Sequence, residues 1–141
     1  YGPESRGGDS RSDVVISDEP IDFPHVLQAD LLLAMSQMAC DRNFYSLKSD
    51  GLLIVDADLV QHVPTNRAYR LPITRITRRE LGREVVANVV ALGIVVALSN
   101  AVSRKAVAAA VAAGVPKGTE ALNRRALELG FRLGDELKAG R

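Results

Sequence analysis

The residues best suited to chemistry stand together in the run Tyr1-Gly2-Pro3-Glu4-Ser5-Arg6-Gly7-Gly8. Glycine allows positive φ and a close approach of the backbone to a ligand. Neighbouring backbone N–H groups around glycines can form an anion-binding nest, and arginine adds a planar fork of donors that matches carboxylate or phosphate. The run therefore predicts a shaped loop that holds an anion or a partner's carboxylate. The alternative is an unstructured leader, because chain ends are often poorly ordered.

The remaining reactive side chains form no catalytic constellation. His25 and His62 lie far apart in the sequence, and a lone histidine is most often structural. Cys40 lies in an apolar stretch without a basic neighbour, so we expect a small buried hydrophobe rather than a nucleophile. Asp56 and Asp58 follow a predicted buried strand, where open α/β sheets bind ligands, although loop hydrogen bonding or helix capping would also explain them.

Asn88 is the single polar side chain in the apolar run of residues 85–98, which we predict to be helical. A buried amide without partners would cost several kcal/mol, so Asn88 should bond a loop, a ligand or another chain. The glycine-rich opening loop is the natural candidate. We therefore place Tyr1, Gly2, Glu4, Arg6, Gly7, Gly8 and Asn88 in one candidate binding site, for an anionic ligand or for a partner's carboxylate.

Size and composition indicate one domain over residues 1–141 with an aliphatic core, since 47% of residues are hydrophobic and only 4% aromatic. The net charge of +1 gives no reason to expect nucleic-acid binding, but residues 1–70 hold 6 Lys and Arg against 11 Asp and Glu, whereas residues 71–141 hold 12 against 6. The simplest interpretation of this asymmetry is solvated surface of either sign. The functional interpretation is a basic face that docks an acidic partner or an anionic ligand.

The number of cysteines and the length of the apolar runs exclude several classes of protein. A single cysteine, Cys40, cannot form an internal disulfide or hold an iron–sulfur cluster, which normally takes four cysteines, and it suits a reducing cytoplasm. The longest apolar run, residues 85–98, is shorter than the ~20 residues that span a bilayer. We therefore expect a cytoplasmic protein without a membrane segment.

Hydrophobic periodicity predicts alternating strands and helices followed by a helical C-terminal half. This order is typical of an α/β protein, here a three-layer α/β/α sandwich with a mainly parallel sheet. Strands are predicted at 12–16, 31–35, 52–55 and, as an edge, 69–73. A short helix is predicted at 22–26, and a second at 37–48 after the cap Ser36. A capping box at Thr77-Arg78-Arg79-Glu80 predicts the start of a helical region that Gly82 bends or interrupts and that continues over 84–98, where Gly93 would allow close contact with a neighbouring backbone. Further helices are predicted after Ser103 and at 119–138.

Several blocks of the sequence resemble the gamma subunits of the 2-oxoacid:ferredoxin oxidoreductases, the group of pyruvate, 2-oxoglutarate and 2-ketoisovalerate enzymes. The resemblance rests first on the opening octapeptide and on Leu81-Gly82-Arg83-Glu84-Val85-Val86-Ala87-Asn88-Val89-Val90-Ala91-Leu92-Gly93. It continues through Asp50-Gly51-Leu52-Leu53-Ile54-Val55-Asp56 and Glu120-Ala121-Leu122-Asn123-Arg124-Arg125. Members of this family begin with a strand and a GxGGxG turn, so the resemblance implies a member whose N-terminal βα unit lies outside this sequence.

The resemblance implies an enzyme subunit without a complete active site of its own. In such complexes thiamin diphosphate with Mg²⁺ and the iron–sulfur clusters lie on other subunits, coenzyme A is a substrate, and ferredoxin accepts the electrons. The expected partners are alpha, beta and ferredoxin-like delta subunits, with a homodimer in isolation. The expected role is a scaffold on the coenzyme A side, with 2-oxoglutarate or pyruvate as substrate.

Two alternatives stay open. One is a stand-alone α/β domain that binds a nucleotide or coenzyme A. The other is the small subunit of an indolepyruvate oxidoreductase, which is built alike.

Overall fold

The structure is a computed structural model that describes residues 11–23 and 25–140. Three strands and five α-helices follow one another in these ranges. In chain order they are β1 (Ala29–Ala34), α1 (Gln37–Asn43), β2 (Leu47–Asp56), β3 (Tyr69–Leu71), α2 (Ile73–Leu81), α3 (Ala87–Ser99), α4 (Arg104–Gly114) and α5 (Glu120–Ala139). Short 3₁₀ turns at Phe44–Ser46 and Glu84–Val86 precede β2 and α3.

The strands form one parallel sheet in the order β1-β2-β3. Leu53 pairs with Leu32 of β1, and Asp56 pairs with Leu71 of β3. The central strand β2 is fully buried at its carboxyl end, as expected for an unbroken apolar run in a parallel sheet. The predicted strand–helix–strand unit and the predicted edge strand are confirmed, although β2 begins five residues earlier than the apolar run.

Alternating side chains of β2 face two separate cores. Ile54 packs into a cluster that includes Ile73 of α2, Val90 of α3 and Leu129 of α5. Its neighbours Leu53 and Val55 face the opposite way, toward Cys40 of α1 and Val60. The sheet therefore has helices on both faces, which confirms the three-layer α/β/α class with a helical C-terminal half.

Helices α3 and α5 form the most extensive contact between elements of the described chain. At their crossing Gly93 faces Gly130, so that a Cβ on Gly93 would lie 2.6 Å from the Leu127 carbonyl oxygen. A Cβ on Gly130 would overlap the carbonyl oxygen of Val90. The expectation that Gly93 allows close backbone contact is confirmed. None of the helices described is long and apolar enough to cross a membrane.

Two predicted elements near the start of the described chain are wrong. Residues 12–16 form no strand, and Val14 and Ile16 are exposed rather than packed. No helix occupies the described positions within 22–26. β-branched residues favour an extended backbone, but a strand also needs a neighbour with which to pair, and no strand of the described sheet pairs with this segment.

The capping box predicted at Thr77 is also wrong. Helix α2 begins a turn earlier, at Ile73, and Thr77 is a buried mid-helix residue whose hydroxyl donates to the Ile73 carbonyl at 2.7 Å. The cap comes instead from Asp56, which accepts from the Thr74 amide. Gly82 ends α2 with φ of 74° and so interrupts the helical region as expected.

The remaining helices follow the predictions with shorter bounds. Ser36 and Ser103 cap α1 and α4 by accepting from the Ala39 and Ala106 amides, as predicted. Helix α1 ends at Asn43 rather than 48, because the chain turns there to begin β2. The last helix matches the predicted range 119–138 to within one residue at each end.

The α3–α5 crossing gives a direct test of packing. We expect Gly130→Ala to destabilise the protein by about 1–3 kcal/mol or more, because the added methyl group meets backbone rather than a flexible side chain. Gly114→Ala is the matched control, since that helical glycine has open space around it and alanine favours helix. Urea unfolding should show the loss only at Gly130, and equal midpoints for both variants would contradict the crossing.

Candidate functional site

The predicted loop residues Tyr1, Gly2, Glu4, Arg6, Gly7 and Gly8 lie outside the described residues. The described chain begins at Arg11, whose guanidinium bonds three different groups. It donates to Asp13 through Nε at 2.7 Å, to the Asn43 side chain through Nη1 at 3.1 Å, and to the Val26 carbonyl through Nη2 at 3.2 Å. The segment that follows the glycine-rich run is therefore held by specific contacts.

Asp13 completes this arrangement from the other side. Its Oδ2 accepts from the Val26 amide at 3.1 Å, so Arg11 and Asp13 together bond both backbone groups of Val26. The hydrogen bond from Arg11, helped by that from the Val26 amide, holds the pKa of Asp13 below its ordinary value of 3.8. We call these three residues the Arg11–Asp13–Val26 clamp, and it closes the chain between residues 13 and 26 into a loop.

A groove of about 650 Å³ lies beside the clamp, where the two ends of this loop meet. His25 Nδ1 is 3.8 Å from Asp13 Oδ2, and its ring packs edge-on against Phe23 at 5.3 Å between centroids. Asn43 is the last residue of α1, and Ser46, which also lines the groove, directly precedes β2. The clamp therefore lies where the parallel strands begin.

The opposite edge, where the strands end, is occupied by internal hydrogen bonds. Asp56 is completely buried, and its Oδ1 accepts from the amides of Asp58 at 3.0 Å and Leu59 at 3.3 Å. Its Oδ2 accepts from the Thr74 amide at 2.9 Å. Asp56 therefore closes the loop after β2 and caps α2. The sequence left open whether Asp56 binds a ligand or serves loop hydrogen bonding and helix capping. The second interpretation describes the contacts of Asp56 in the structure.

Asp58 and Gln37 form further hydrogen bonds at the edge of the sheet where the strands end. Asp58 forms a two-point ion pair with Arg75 at 2.9 and 3.0 Å. Gln37 Oε1 accepts from the amides of Gln61 and His62, and its Nε2 donates to the His62 carbonyl at 2.7 Å. These bonds fix the connection between β2 and β3 over α1.

Asn88 is not buried, so the physical argument that placed it in the site is wrong. It is the second residue of α3, its side chain is exposed, and its Oδ1 accepts from the neighbouring Val89 amide at 3.0 Å. The buried face of α3 is formed by other positions, Val90 and Ile94 among them. No contact joins Asn88 to the clamp among the described residues, and its place in the binding site stays a prediction.

Cys40 is fully buried, as expected, and burial raises the pKa of its thiol above the ordinary value of 9.0. His25 lies beside Asp13 and Phe23, whereas the backbone of His62 bonds the Gln37 side chain. Within residues 11–23 and 25–140, no group of three or more His, Cys, Asp or Glu side chains is arranged to hold a metal ion.

A second groove, of about 560 Å³, was not anticipated from the sequence. Arg104 pairs with Asp135 at 2.5 and 3.0 Å and lies over the Phe131 ring at 4.9 Å. This ion pair holds the pKa of Asp135 below its ordinary value. Arg132 is also paired, with Glu80 at 3.5 Å. The contact between α4 and α5 crosses 31 residues of sequence, so no local pattern predicts it.

The fold is thus an open parallel α/β sheet with a clamped loop at one edge and a closed polar edge opposite. A family model described as pyruvate ferredoxin/flavodoxin oxidoreductase matches residues 1–133. The chain therefore belongs to this family, as the resemblance predicted.

Individual relatives agree with this assignment. The chain is 44% identical over 141 residues to the 2-oxoglutarate synthase subunit KorC of Methanocaldococcus jannaschii, covering 97% of this chain and 75% of that protein. The KorC of Methanothermobacter marburgensis is 42% identical, with 94% and 76% covered.

A solved structure supports the same assignment. The keto/oxoacid ferredoxin oxidoreductase gamma subunit from Geobacter sulfurreducens PCA matches with a TM-score of 0.72 and 42% identity, over 76% of this chain and 64% of that one. The expectation of a gamma-type chain of the 2-oxoacid:ferredoxin oxidoreductases, an oxidoreductase subunit, is confirmed.

Asp56 and Asp58 give a matched pair for testing the closed edge. We expect Asp56→Ala to destabilise the protein by about 2–5 kcal/mol, because it leaves the amides of Asp58 and Thr74 without their acceptor, whereas the Leu59 amide keeps the Asp56 backbone carbonyl at 3.2 Å. Asp58→Ala should cost less than about 1 kcal/mol, since its ion pair is exposed. Denaturant unfolding of both variants measures the difference, and a small effect at Asp56 would refute its capping role.

The clamp gives a second prediction, with a defined pH dependence. The pKa of Asp13 is lower in the folded protein than its ordinary value of 3.8. The ionised Asp13 therefore contributes fully to the stability of the fold at pH values above 3.8, and this contribution is lost as the pH falls through the lower folded pKa. We therefore expect constant protection of the Val26 amide from pH 7 to about pH 5. Asp13→Asn should raise the hydrogen-exchange rate of the Val26 amide severalfold at neutral pH. It should raise the rate of proteolytic cleavage within residues 14–23 by a similar factor.

The control for this prediction is Asp18→Asn, which removes a charge from the same loop without touching the clamp. Hydrogen exchange corrected for its intrinsic pH dependence measures the Val26 amide. Equal exchange in the wild type and in Asp13→Asn would show that the clamp does not hold the loop.

Proposed function

We propose that this chain is the gamma subunit of a complex that oxidatively decarboxylates 2-oxoglutarate with coenzyme A, giving succinyl-coenzyme A, CO₂ and reduced ferredoxin. The observation that carries the proposal is the 44% identity to a protein described as a 2-oxoglutarate synthase subunit, over 97% of the chain. The likeness of a second such subunit, at 42%, supports the same substrate.

In this proposal thiamin diphosphate, Mg²⁺ and the iron–sulfur clusters belong to alpha, beta and ferredoxin-like delta subunits. The single, fully buried cysteine supports this division, because a cluster normally takes four thiolates. The role of the chain is then to build and support the coenzyme A side of the shared site. A cytoplasmic location is part of the proposal.

The glycine-rich run is proposed to contact the anionic part of coenzyme A or the neighbouring subunit. Its composition supports this, with Arg6 followed by Gly7 and Gly8. The clamp supports it as well, because Arg11 and Asp13 fix the chain directly after the run. A loop held at its exit loses less conformational freedom when it binds.

The substrate is tested with the assembled complex, purified from cells that express the chain with the subunits encoded beside it. Coenzyme A-dependent reduction of ferredoxin should show the highest kcat/KM with 2-oxoglutarate, compared with pyruvate, 2-ketoisovalerate and indolepyruvate. A preference for one of the other oxoacids would overturn the substrate, and preference for indolepyruvate would favour the related small subunit.

The role of Arg6 is tested in the same complex. Loss of a charge-assisted hydrogen bond predicts that Arg6→Ala raises the KM for coenzyme A about 10- to 100-fold. Arg125→Ala, at an exposed position of α5, is the matched control. An unchanged KM in Arg6→Ala would remove the proposed contact. Tight coenzyme A binding by the isolated chain in calorimetry would favour the stand-alone binding domain instead.

A further inference from the structure

The guanidinium of Arg11 forms hydrogen bonds through all three of its nitrogens. Nε and Nη2 form a two-point ion pair with Asp13 at 2.7 and 3.2 Å. Nη2 also donates to the Val26 carbonyl, and Nη1 donates to the Asn43 side chain. Four of the five N–H donors of a guanidinium are thus engaged. Because its charge is paired and its donors are used within the chain, Arg11 holds the backbone in place rather than binding an anion itself.

Asn43 connects the clamp to the body of the fold. Its Oδ1 accepts from Arg11, and its Nδ2 donates to the Ala39 carbonyl within α1 at 2.8 Å. Helix α1 in turn packs on the sheet through Cys40, which is buried in one cluster with Leu53 of β2. Side-chain hydrogen bonds therefore set the position of Arg11 relative to the sheet, although Arg11 lies in no strand or helix.

The glycine-rich run ends shortly before the clamp. Gly8 precedes Arg11 by three residues, and Arg6 precedes it by five. Three residues of fully extended chain span at most about 11 Å. The clamp therefore limits the space that the run can search for a ligand.

The composition of the run makes such a restraint effective. It contains three glycines in eight residues, and glycine loses more conformational freedom on ordering than any other residue. A restraint at one end removes part of that freedom before a ligand arrives, and so it raises affinity without adding a contact to the ligand. The expected effect is on the binding of that ligand and not on the chemical step.

We propose that Arg11 and Asp13 are positioning residues for coenzyme A: they hold the exit of the glycine-rich run and so raise the affinity of the complex for coenzyme A without contacting it. This inference rests on the proposed function, which makes coenzyme A the ligand of the run. One competing role for Arg11 is direct binding of a coenzyme A phosphate. The other is an ion pair that serves stability alone.

The test measures steady-state kinetics of the assembled complex with Arg11→Gln or Asp13→Asn in this chain. Both variants should raise the KM for coenzyme A about three- to tenfold, because either one opens the clamp. The kcat and the KM for 2-oxoglutarate should stay at the wild-type values. Direct phosphate binding predicts opposite signs, since Asp13→Asn would release Arg11 and lower the KM for coenzyme A. Opposite signs, or no change in either variant, would overturn the inference.

Arg75→Gln is the matched control. It breaks a two-point ion pair with Asp58, at 2.9 and 3.0 Å, at the opposite edge of the sheet. The Arg75 side chain is exposed to a similar degree as that of Arg11, 59% against 52%. The KM for coenzyme A should not change in this variant, and an increase equal to that in Arg11→Gln would overturn the inference.

A double-mutant cycle separates positioning from a general loss of stability. In an Arg6→Ala background, Arg11→Gln should change the KM for coenzyme A much less than it does in the wild type, because the clamp acts through the run. An equal increase in both backgrounds would show that the ion pair serves stability alone. Arg6→Ala with the wild-type KM would remove the contact through which the clamp acts, and the inference with it.

Coupling between the clamp and the ligand is reciprocal, so coenzyme A should stabilise the closed clamp by the same factor. Saturating coenzyme A should therefore slow hydrogen exchange of the Val26 amide in the complex about three- to tenfold. The Thr74 amide, which donates to Asp56 at the opposite edge, is the internal control and should not respond. Unchanged exchange at Val26 would contradict the coupling.

The outcomes separate this inference from the proposed function. A complex that oxidises 2-oxoglutarate with coenzyme A, but whose KM for coenzyme A does not respond to Arg11→Gln, keeps the proposed function and refutes the positioning role. A complex that does not consume coenzyme A refutes both.

Discussion

The backbone contact between α3 and α5 is the constraint on which the rest of the structure depends. At Gly93 and Gly130 neither helix has a side chain, so the two backbones approach closely, and Ile94 and Leu127 next to these contacts are fully buried. Burying two helices at this distance replaces solvent contacts with dense apolar packing, which is the dominant favourable term in folding. The same pair of helices covers Ile54 and so fixes one face of the sheet.

The second constraint is a charge placed where the sheet meets the helices. Asp56 ends β2, yet its carboxylate satisfies the amides of the following loop and one in the first turn of α2. A negative charge is favourable at a helix N-terminus, and burial makes these bonds costly to break. The carboxyl edge of the sheet, where open α/β sheets bind ligands, is therefore used for structure around Asp56.

The sequence predicts those features that depend on neighbouring residues. The unbroken apolar runs marked β1 and β2, serine marked the starts of α1 and α4, and a glycine inside an apolar helix marked the crossing at Gly93. The errors arise where the outcome depends on the three-dimensional packing rather than on neighbouring residues. Thr77 looked like a cap because the real cap, Asp56, lies 18 residues from the Thr74 amide. Asn88 looked buried because its helix is apolar, although its position on α3 faces outward.

In the candidate site, too, the sequence predicted the local features and missed the contacts between distant residues. The composition of the glycine-rich run suggested an anion-binding loop, but nothing in the local pattern pointed to the clamp that follows it. Arg11 and Asp13 are two residues apart, which is compatible with an ion pair, whereas their shared partner Val26 lies 13 residues beyond Asp13. The β-branched residues 14–16 were mistaken for a strand for a related reason. Apolar residues contribute to stability only when something covers them, and within the described chain Val14 and Ile16 remain largely exposed. The local pattern therefore favours an extended backbone at 14–16, but it carries no information on which strand lies beside it, and no strand of the described sheet does.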